Sequence, residues 1–150
     1  MNFPLATILV VVDDATLGEV LAKVLTRPGR CAVSVSSTSL ALRLVEHEWP
    51  HLVLLDMCRR DGAALELAAA IRHSSHDLPL IVLTAFPHQK SSFPVSSSRF
   101  VTKSINLSDL RRTVDVELFR ADAGRRTQSF AFPHKPVPEL PRRLTSSVSR

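Results

Sequence analysis

The sequence predicts an α/β domain built as a doubly wound parallel sheet of five strands. Two observations carry this. Short β-branched and leucine-rich runs, Ile8–Val12, Leu52–Leu55 and Leu80–Leu83, recur without in/out alternation. Such runs form strands buried on both faces, as in parallel sheets. Between them lie stretches whose apolar residues fall three and four apart, the spacing of one helix face. Strand and helix therefore alternate, the pattern of successive βα units.

Each element follows in order. Ile8–Val12 is the first strand and ends in Asp13-Asp14. Leu17, Val20, Leu21, Val24 and Leu25 share a helix face, and Pro28-Gly29 closes that helix. Cys31–Val35 is a short second strand. Ser39–Glu48, with Leu42, Leu44 and Val45, is a second helix stopped before Pro50. His51–Leu55 is the third strand and runs into Asp56. Ala63–His73, with Leu67, Ala68 and Ile71 on one face, is the third helix. Leu80–Leu83 is the fourth strand, ending at Thr84-Ala85. Phe86–Arg99 reads FPHQKSSFPVSSSR. Its prolines and serines predict a short or irregular helix at most. Phe100–Thr102 is the fifth strand and ends at Lys103. Asn106 with Asp109 three residues on sets up a capping box for a final helix. Leu107, Leu110 and Val114 face that helix, with Leu118 next in the series.

A chain of 150 residues has room for one domain. With 45% hydrophobic and 22% charged residues it has the composition of a globular protein. Its apolar runs fall far short of the ~20 residues that span a bilayer. The start, MNFPLATILVVVDD, lacks the basic opening of a secretory signal. Cys31 and Cys58 are too few for a disulfide framework or a zinc site. That usage fits a reducing compartment, and the expected location is cytoplasmic. The histidines show no metal-ligand spacing, and His47, His51 and His73 read as surface or loop residues.

The net charge of +5 invites a nucleic-acid reading, and its distribution argues against one. Residues 1–119 hold 12 Lys/Arg and 12 Asp/Glu, whereas residues 120–150 hold 7 Lys/Arg against Asp122 and Glu139. The excess belongs to the end segment. That segment carries Pro133, Pro136, Pro138 and Pro141 and no periodicity, so it reads as a disordered tail. Phe130 and Phe132 are not interleaved with basic residues as base stacking requires. The expected organisation is a domain over 1–119 and a basic tail over 120–150.

A parallel doubly wound sheet gathers the carboxyl ends of its strands at one edge, where such folds bind ligands. That edge would hold Asp13, Asp14, Asp56, Thr84 and Lys103. Three carboxylates in a small space call for a cation, and hard oxygen donors suit Mg²⁺. A carboxylate is also a nucleophile toward phosphorus and yields an aspartyl phosphate. Such transfer rests on positioning and charge neutralisation. Mg²⁺ would hold a phosphoryl oxygen, Lys103 would supply a second positive charge, and the Thr84 hydroxyl would donate a hydrogen bond. Taken singly, each residue has an ordinary explanation. An Asp at a strand end commonly serves a turn or a helix cap, and Phe100 in a short strand ordinarily packs. The set of five at the right strand ends carries the chemistry.

The segments ILVVVDD, HLVLLD, LPLIVLTA and FVTK resemble, in order and spacing, the receiver (CheY-like) domains of two-component response regulators. The resemblance runs from about residue 5 to residue 119. It implies a flavodoxin-like sheet of order 2-1-3-4-5. It implies that Asp56 is the phosphoacceptor and that Asp13 and Asp14 form the acidic pair, with Asp14 the direct Mg²⁺ ligand. Cys58 would lend its backbone carbonyl to the metal, Thr84 would be the switch hydroxyl, and Lys103 the phosphate-sensing lysine. Phe100 would be the aromatic that changes rotamer on activation. The implied donor is a sensor histidine kinase or a His phosphotransfer protein, and the reader is a downstream protein. The chain would not be an enzyme beyond its own phosphoryl transfer and dephosphorylation. No DNA-binding segment or membrane association is expected, so the reading is a stand-alone receiver in a phosphorelay. The cognate kinase, output partner and oligomeric state stay open.

Three departures from the family pattern stand out. Arg60 occupies a position where proline is usual, although the Asp61-Gly62 turn is kept. Ser104 follows Lys103 where the family has proline, commonly after a cis bond. A cis bond costs ~2.5–4 kcal/mol before Ser against ~0.5–1 before Pro. A trans bond and a less direct aim of Lys103 are therefore expected. The stretch from Ala85 to Lys103 is also shorter than usual and its helix degraded. These features support an alternative, a receiver-like interaction module that works without phosphorylation; the full acidic set opposes it. An aspartyl-phosphate hydrolase of another α/β family would place a second acid where Cys58 stands.

Overall fold

A computed structural model of the chain describes residues 6–57, 64–75, 77–85 and 98–128. The elements are β1 (Ala6–Val11), α1 (Ala15–Leu25), β2 (Arg30–Val35), α2 (Thr38–Glu46), β3 (Leu52–Asp56), α3 (Ala64–Ser74), β4 (Leu80–Thr84), β5 (Ser98–Thr102) and α4 (Leu107–Gln128). The strands form one sheet of order β2-β1-β3-β4-β5, and every pairing is parallel. This is the flavodoxin-like order expected. The proline- and serine-rich stretch lies outside the described residues from 86 to 97, as does the predicted tail from 129 onward.

The continuous apolar strands divide their side chains between two core layers, because successive residues point to opposite faces. Leu9, Val11, Val33, Val53, Leu55, Leu80 and Val82 pack with Ala41, Leu44 and Val45 of α2 and Leu67, Ala68 and Ile71 of α3. Ile8, Val10, Val12, Leu52, Leu54, Ile81 and Leu83 pack with Leu21 and Leu25 of α1 and Leu110 and Val114 of α4. Among the described residues, two helices cover each face. Burial pushes the Cys31 thiol above its usual range, which suits a packing residue rather than a reactive one.

Local chemistry sets the element ends. Arg27-Pro28-Gly29-Arg30 turns with hydrogen bonds both ways between Arg27 and Arg30 (3.0 and 2.8 Å). Gly29 there takes φ +81°, the conformation a type II turn needs after Pro28. Helix α2 ends in a Schellman motif: the Trp49 N–H donates to the Leu44 carbonyl (3.0 Å) and the Glu48 N–H to that of Val45 (2.9 Å). The left-handed position belongs to Glu48, at φ 57°. That conformation costs an L-residue ~1–2 kcal/mol and glycine almost nothing. Glu48→Gly is expected to raise stability by ~1 kcal/mol, read as a higher urea midpoint at unchanged slope.

Three sequence expectations shift. The buried face of α1 is Gly18, Leu21 and Leu25, while Val20 is 42% exposed. A Cβ at Gly18 would stand 2.1 Å from Ser34 Oγ and 2.9 Å from Val12 Cγ2, so the missing side chain lets α1 lie close to the sheet. His51 is not a plain loop residue, because its Nδ1 accepts from the Thr7 N–H at 3.0 Å. Finally, α4 continues to Gln128, well past residue 119. Its start matches expectation: the Asp109 N–H donates to Asn106 Oδ1 at 2.8 Å. The box closes between side chains, Asn106 Nδ2 donating to Asp109 Oδ2 at 2.9 Å. Arg30 and Arg27 both pair with Asp115 of α4, and Arg111 Nε donates to the Val24 carbonyl at 3.2 Å, fastening α4 beside α1. Among the described residues no helix is long and apolar enough to cross a membrane.

Candidate functional site at the carboxyl edge of the sheet

The parallel register brings the strand ends together. Val11 of β1 pairs with Leu55 of β3, so the residues following β1 adjoin Asp56. Asp56 pairs with Leu83, and Thr84 pairs with Thr102 just before Lys103. The edge therefore carries Asp13 and Asp14, then Asp56, Thr84 and Lys103, in adjacent positions.

Asp56 is the last residue of β3 and is 5% exposed. A buried carboxylate requires a counter-charge or hydrogen bonds. Lys103 supplies the charge: its Nζ lies 2.9 Å from Asp56 Oδ1 and 3.1 Å from Oδ2. The ammonium thus straddles both carboxylate oxygens while its side chain keeps 32% of its surface in solvent. The backbone holds the lysine from below, its N–H donating to the Thr84 carbonyl at 2.8 Å. The peptide bond to Ser104 is trans, as expected. With this trans bond the lysine reaches the Asp56 carboxylate.

Thr84 closes β4 and is 1% exposed. Phe100 of β5 is half-buried and packs against the layer containing Leu80 and Val82, the ordinary role for an aromatic in a strand. Asp13 is half-buried and Asp14 exposed. Asp14 is the N-cap of α1: its Oδ1 accepts from the N–H groups of Thr16 (2.9 Å) and Leu17 (3.2 Å). Cys58, with the Arg59-Arg60-Asp61-Gly62 loop, lies outside the described residues.

Asp13, Asp14 and Asp56 offer the hard oxygen donors that suit a divalent cation such as Mg²⁺. Among the described residues no three His, Cys, Asp or Glu side chains are gathered closely enough to hold a metal ion. Asp14 has one oxygen committed to its helix, and Asp56 faces Lys103. Sequence reading missed the turn that carries Lys103. The Ile105 N–H donates to the Thr102 carbonyl at 3.0 Å, and Thr102 Oγ1 lies 3.1 Å from Ser104 Oγ. Two hydroxyls flanking the lysine were the available signal.

Comparison with known proteins agrees with this fold. The chain matches the response regulator receiver domain over residues 8–115. The phosphate regulon transcriptional regulatory protein PhoB of Pseudomonas aeruginosa is 27% identical over 123 residues, covering 79% of this chain and 54% of PhoB. The chain spans about half the length of the curated relatives it matches. A response regulator receiver protein of Sinorhizobium medicae superposes with a TM-score of 0.70 at 21% identity, over 78% of this chain and 97% of that one. The response regulator TrrA of Thermotoga maritima, solved in complex with Mg²⁺-BeF, gives a TM-score of 0.68 at 29% identity, over 75% of this chain and 99% of TrrA. Receiver domains are signalling modules rather than classical enzymes. By its sequence match and its sheet, this chain belongs to the response regulator receiver domain family of two-component systems.

Proposed function

We propose that the domain accepts a phosphoryl group on Asp56 and that this changes what the protein binds. The contact between Lys103 and both oxygens of Asp56 carries the reading. It presents a buried carboxylate beside a cation at the edge where such sheets bind ligands. An Asp56 oxygen attacks phosphorus and forms the acyl phosphate. The bond from phosphorus to the donor breaks, and with a phosphohistidine donor the imidazole leaves and takes a proton. Lys103 then exchanges a carboxylate oxygen for a phosphoryl oxygen, and its charge offsets the added negative charge. Thr84, at the neighbouring strand end, supplies a hydroxyl donor to the phosphoryl group. Asp13 and Asp14, with Asp56 and the Cys58 carbonyl, would hold Mg²⁺. When bound, that ion lowers the repulsion between carboxylate and phosphoryl oxygens.

The donor in this reading is a sensor histidine kinase or a His phosphotransfer protein, and the reader is a partner protein. The transfer itself is the same whether the domain acts alone or joined to an output domain. A second reading, a module that binds partners without phosphorylation, draws on the ungathered acidic side chains and the N-cap role of Asp14. Incubation with acetyl phosphate and Mg²⁺ separates the two. The expected result is a mass gain of one phosphoryl group in the wild type and none in Asp56→Asn. No gain in either protein at saturating donor favours the second reading.

A further inference from the structure

We propose that the hydroxyls of Thr102 and Ser104 form a positioning device that holds Lys103 at Asp56. The proposal rests on the reading of Lys103 as the lysine that meets the phosphoryl group. Lys103 and Ser104 are the two central residues of a turn closed by the Ile105 N–H on the Thr102 carbonyl, at 3.0 Å. Among the described residues no peptide bond is cis, and Glu48 alone of the non-glycine residues has positive φ. A hydrogen-bonded β-turn with two trans peptides and negative φ at both centres is type I. A type I turn is open to most residues and has no need of proline. The lysine of such a turn keeps several backbone and side-chain alternatives unless something fixes it.

Three contacts fix it here. The Lys103 N–H is tied to the Thr84 carbonyl at 2.8 Å, which anchors the turn to β4. Ile105, at the exit, packs against the core layer shared with α1 and α4. The hydroxyls of Thr102 and Ser104 meet at 3.1 Å and bridge the turn from one side of Lys103 to the other. The first two contacts come from backbone and core and would suit many sequences. The hydroxyl bridge belongs to this chain's own residues, and it lies where the family's proline would otherwise stiffen the backbone. Thr102 and Ser104 touch neither Asp56 nor a phosphoryl group in this account, so they act through Lys103 as positioning residues.

The test reads the distance between Lys103 and Asp56 without phosphorylation. A water-soluble carbodiimide activates a carboxylate, and an amine in contact with it displaces the urea to form an amide, with net loss of water. The Lys103–Asp56 amide is quantified by peptide mass mapping of the full chain. Wild type and Ser104→Thr are expected to form it in equal yield. Ser104→Ala and Thr102→Val should each form about two- to threefold less, the low end for one lost hydrogen bond because this pair is exposed to water. Their melting temperatures should fall by no more than a few degrees, and the double variant should be no worse than either single one. Equal yields in all variants overturn the proposal, as do losses that add in the double variant. If the wild type forms the amide yet takes no phosphoryl group from acetyl phosphate, the phosphoacceptor reading fails while the turn's role stands.

Discussion

Lys103→Met is expected to slow phosphoryl transfer to Asp56 by about 10²–10³-fold, the loss typical when one preorganised charge donor is removed. The ammonium sits 2.9 and 3.1 Å from the two Asp56 oxygens and is carried on a turn already tied to β4. Methionine keeps an unbranched side chain, one atom shorter, and removes the charge. Arginine is a weaker test, because its planar fork is not interchangeable with a compact ammonium. The variant also leaves the buried Asp56 carboxylate without this partner, so it should lose stability. Adding Asp56→Asn to Lys103→Met should restore part of that loss, because the uncompensated charge is gone. The rate is measured by intact mass against time at fixed acetyl phosphate and Mg²⁺. An unchanged rate would remove Lys103 from the chemistry.

Trp49→Ala should cost ~3–5 kcal/mol, the range for deleting a large aromatic from a core. Trp49 is among the largest fully buried side chains and joins the layer between the sheet and helices α2 and α3. It also closes the Schellman motif through its N–H, and its carbonyl accepts from the Thr7 hydroxyl of β1. Those backbone bonds survive truncation, so the loss belongs to the emptied volume. Against a typical total of ~5–15 kcal/mol the variant would be marginal. Urea unfolding followed by circular dichroism gives the number, since the fluorophore is removed. A cost below ~1 kcal/mol would contradict the placement of Trp49 in the core.

Much of this was legible because strong local signals agree with the global fold. Ile8–Val12, Leu52–Leu55 and Leu80–Leu83 carry only apolar residues, and a strand covered on both faces has no reason to alternate. The strand ends then place Asp56, Thr84 and Lys103 on one edge without further information. What stayed hidden depends on contacts between residues remote in sequence, or on residues that hydrophobic spacing does not count. Gly18 has no side chain to register in a helical stripe, yet it decides which face of α1 meets the sheet. His51 meets Thr7 across two strands, and nothing in its neighbourhood announces that partner. The distal turns of α4 are mostly polar and Phe119 is 76% exposed, so no apolar face marks the helix beyond residue 119. The support of Lys103 by the Thr84 carbonyl and the turn closed by Ile105 is likewise invisible in the Lys103-Ser104 pair by itself.

The central claim is that Asp56 is the residue that takes the phosphoryl group. Borohydride reduces an acyl phosphate of aspartate to homoserine and leaves free carboxylates untouched. After acetyl phosphate and Mg²⁺, reduction followed by peptide sequencing should find homoserine at position 56, with Asp13 and Asp14 unchanged. Homoserine at another aspartate, or none in a protein that has gained phosphoryl mass, would contradict the account.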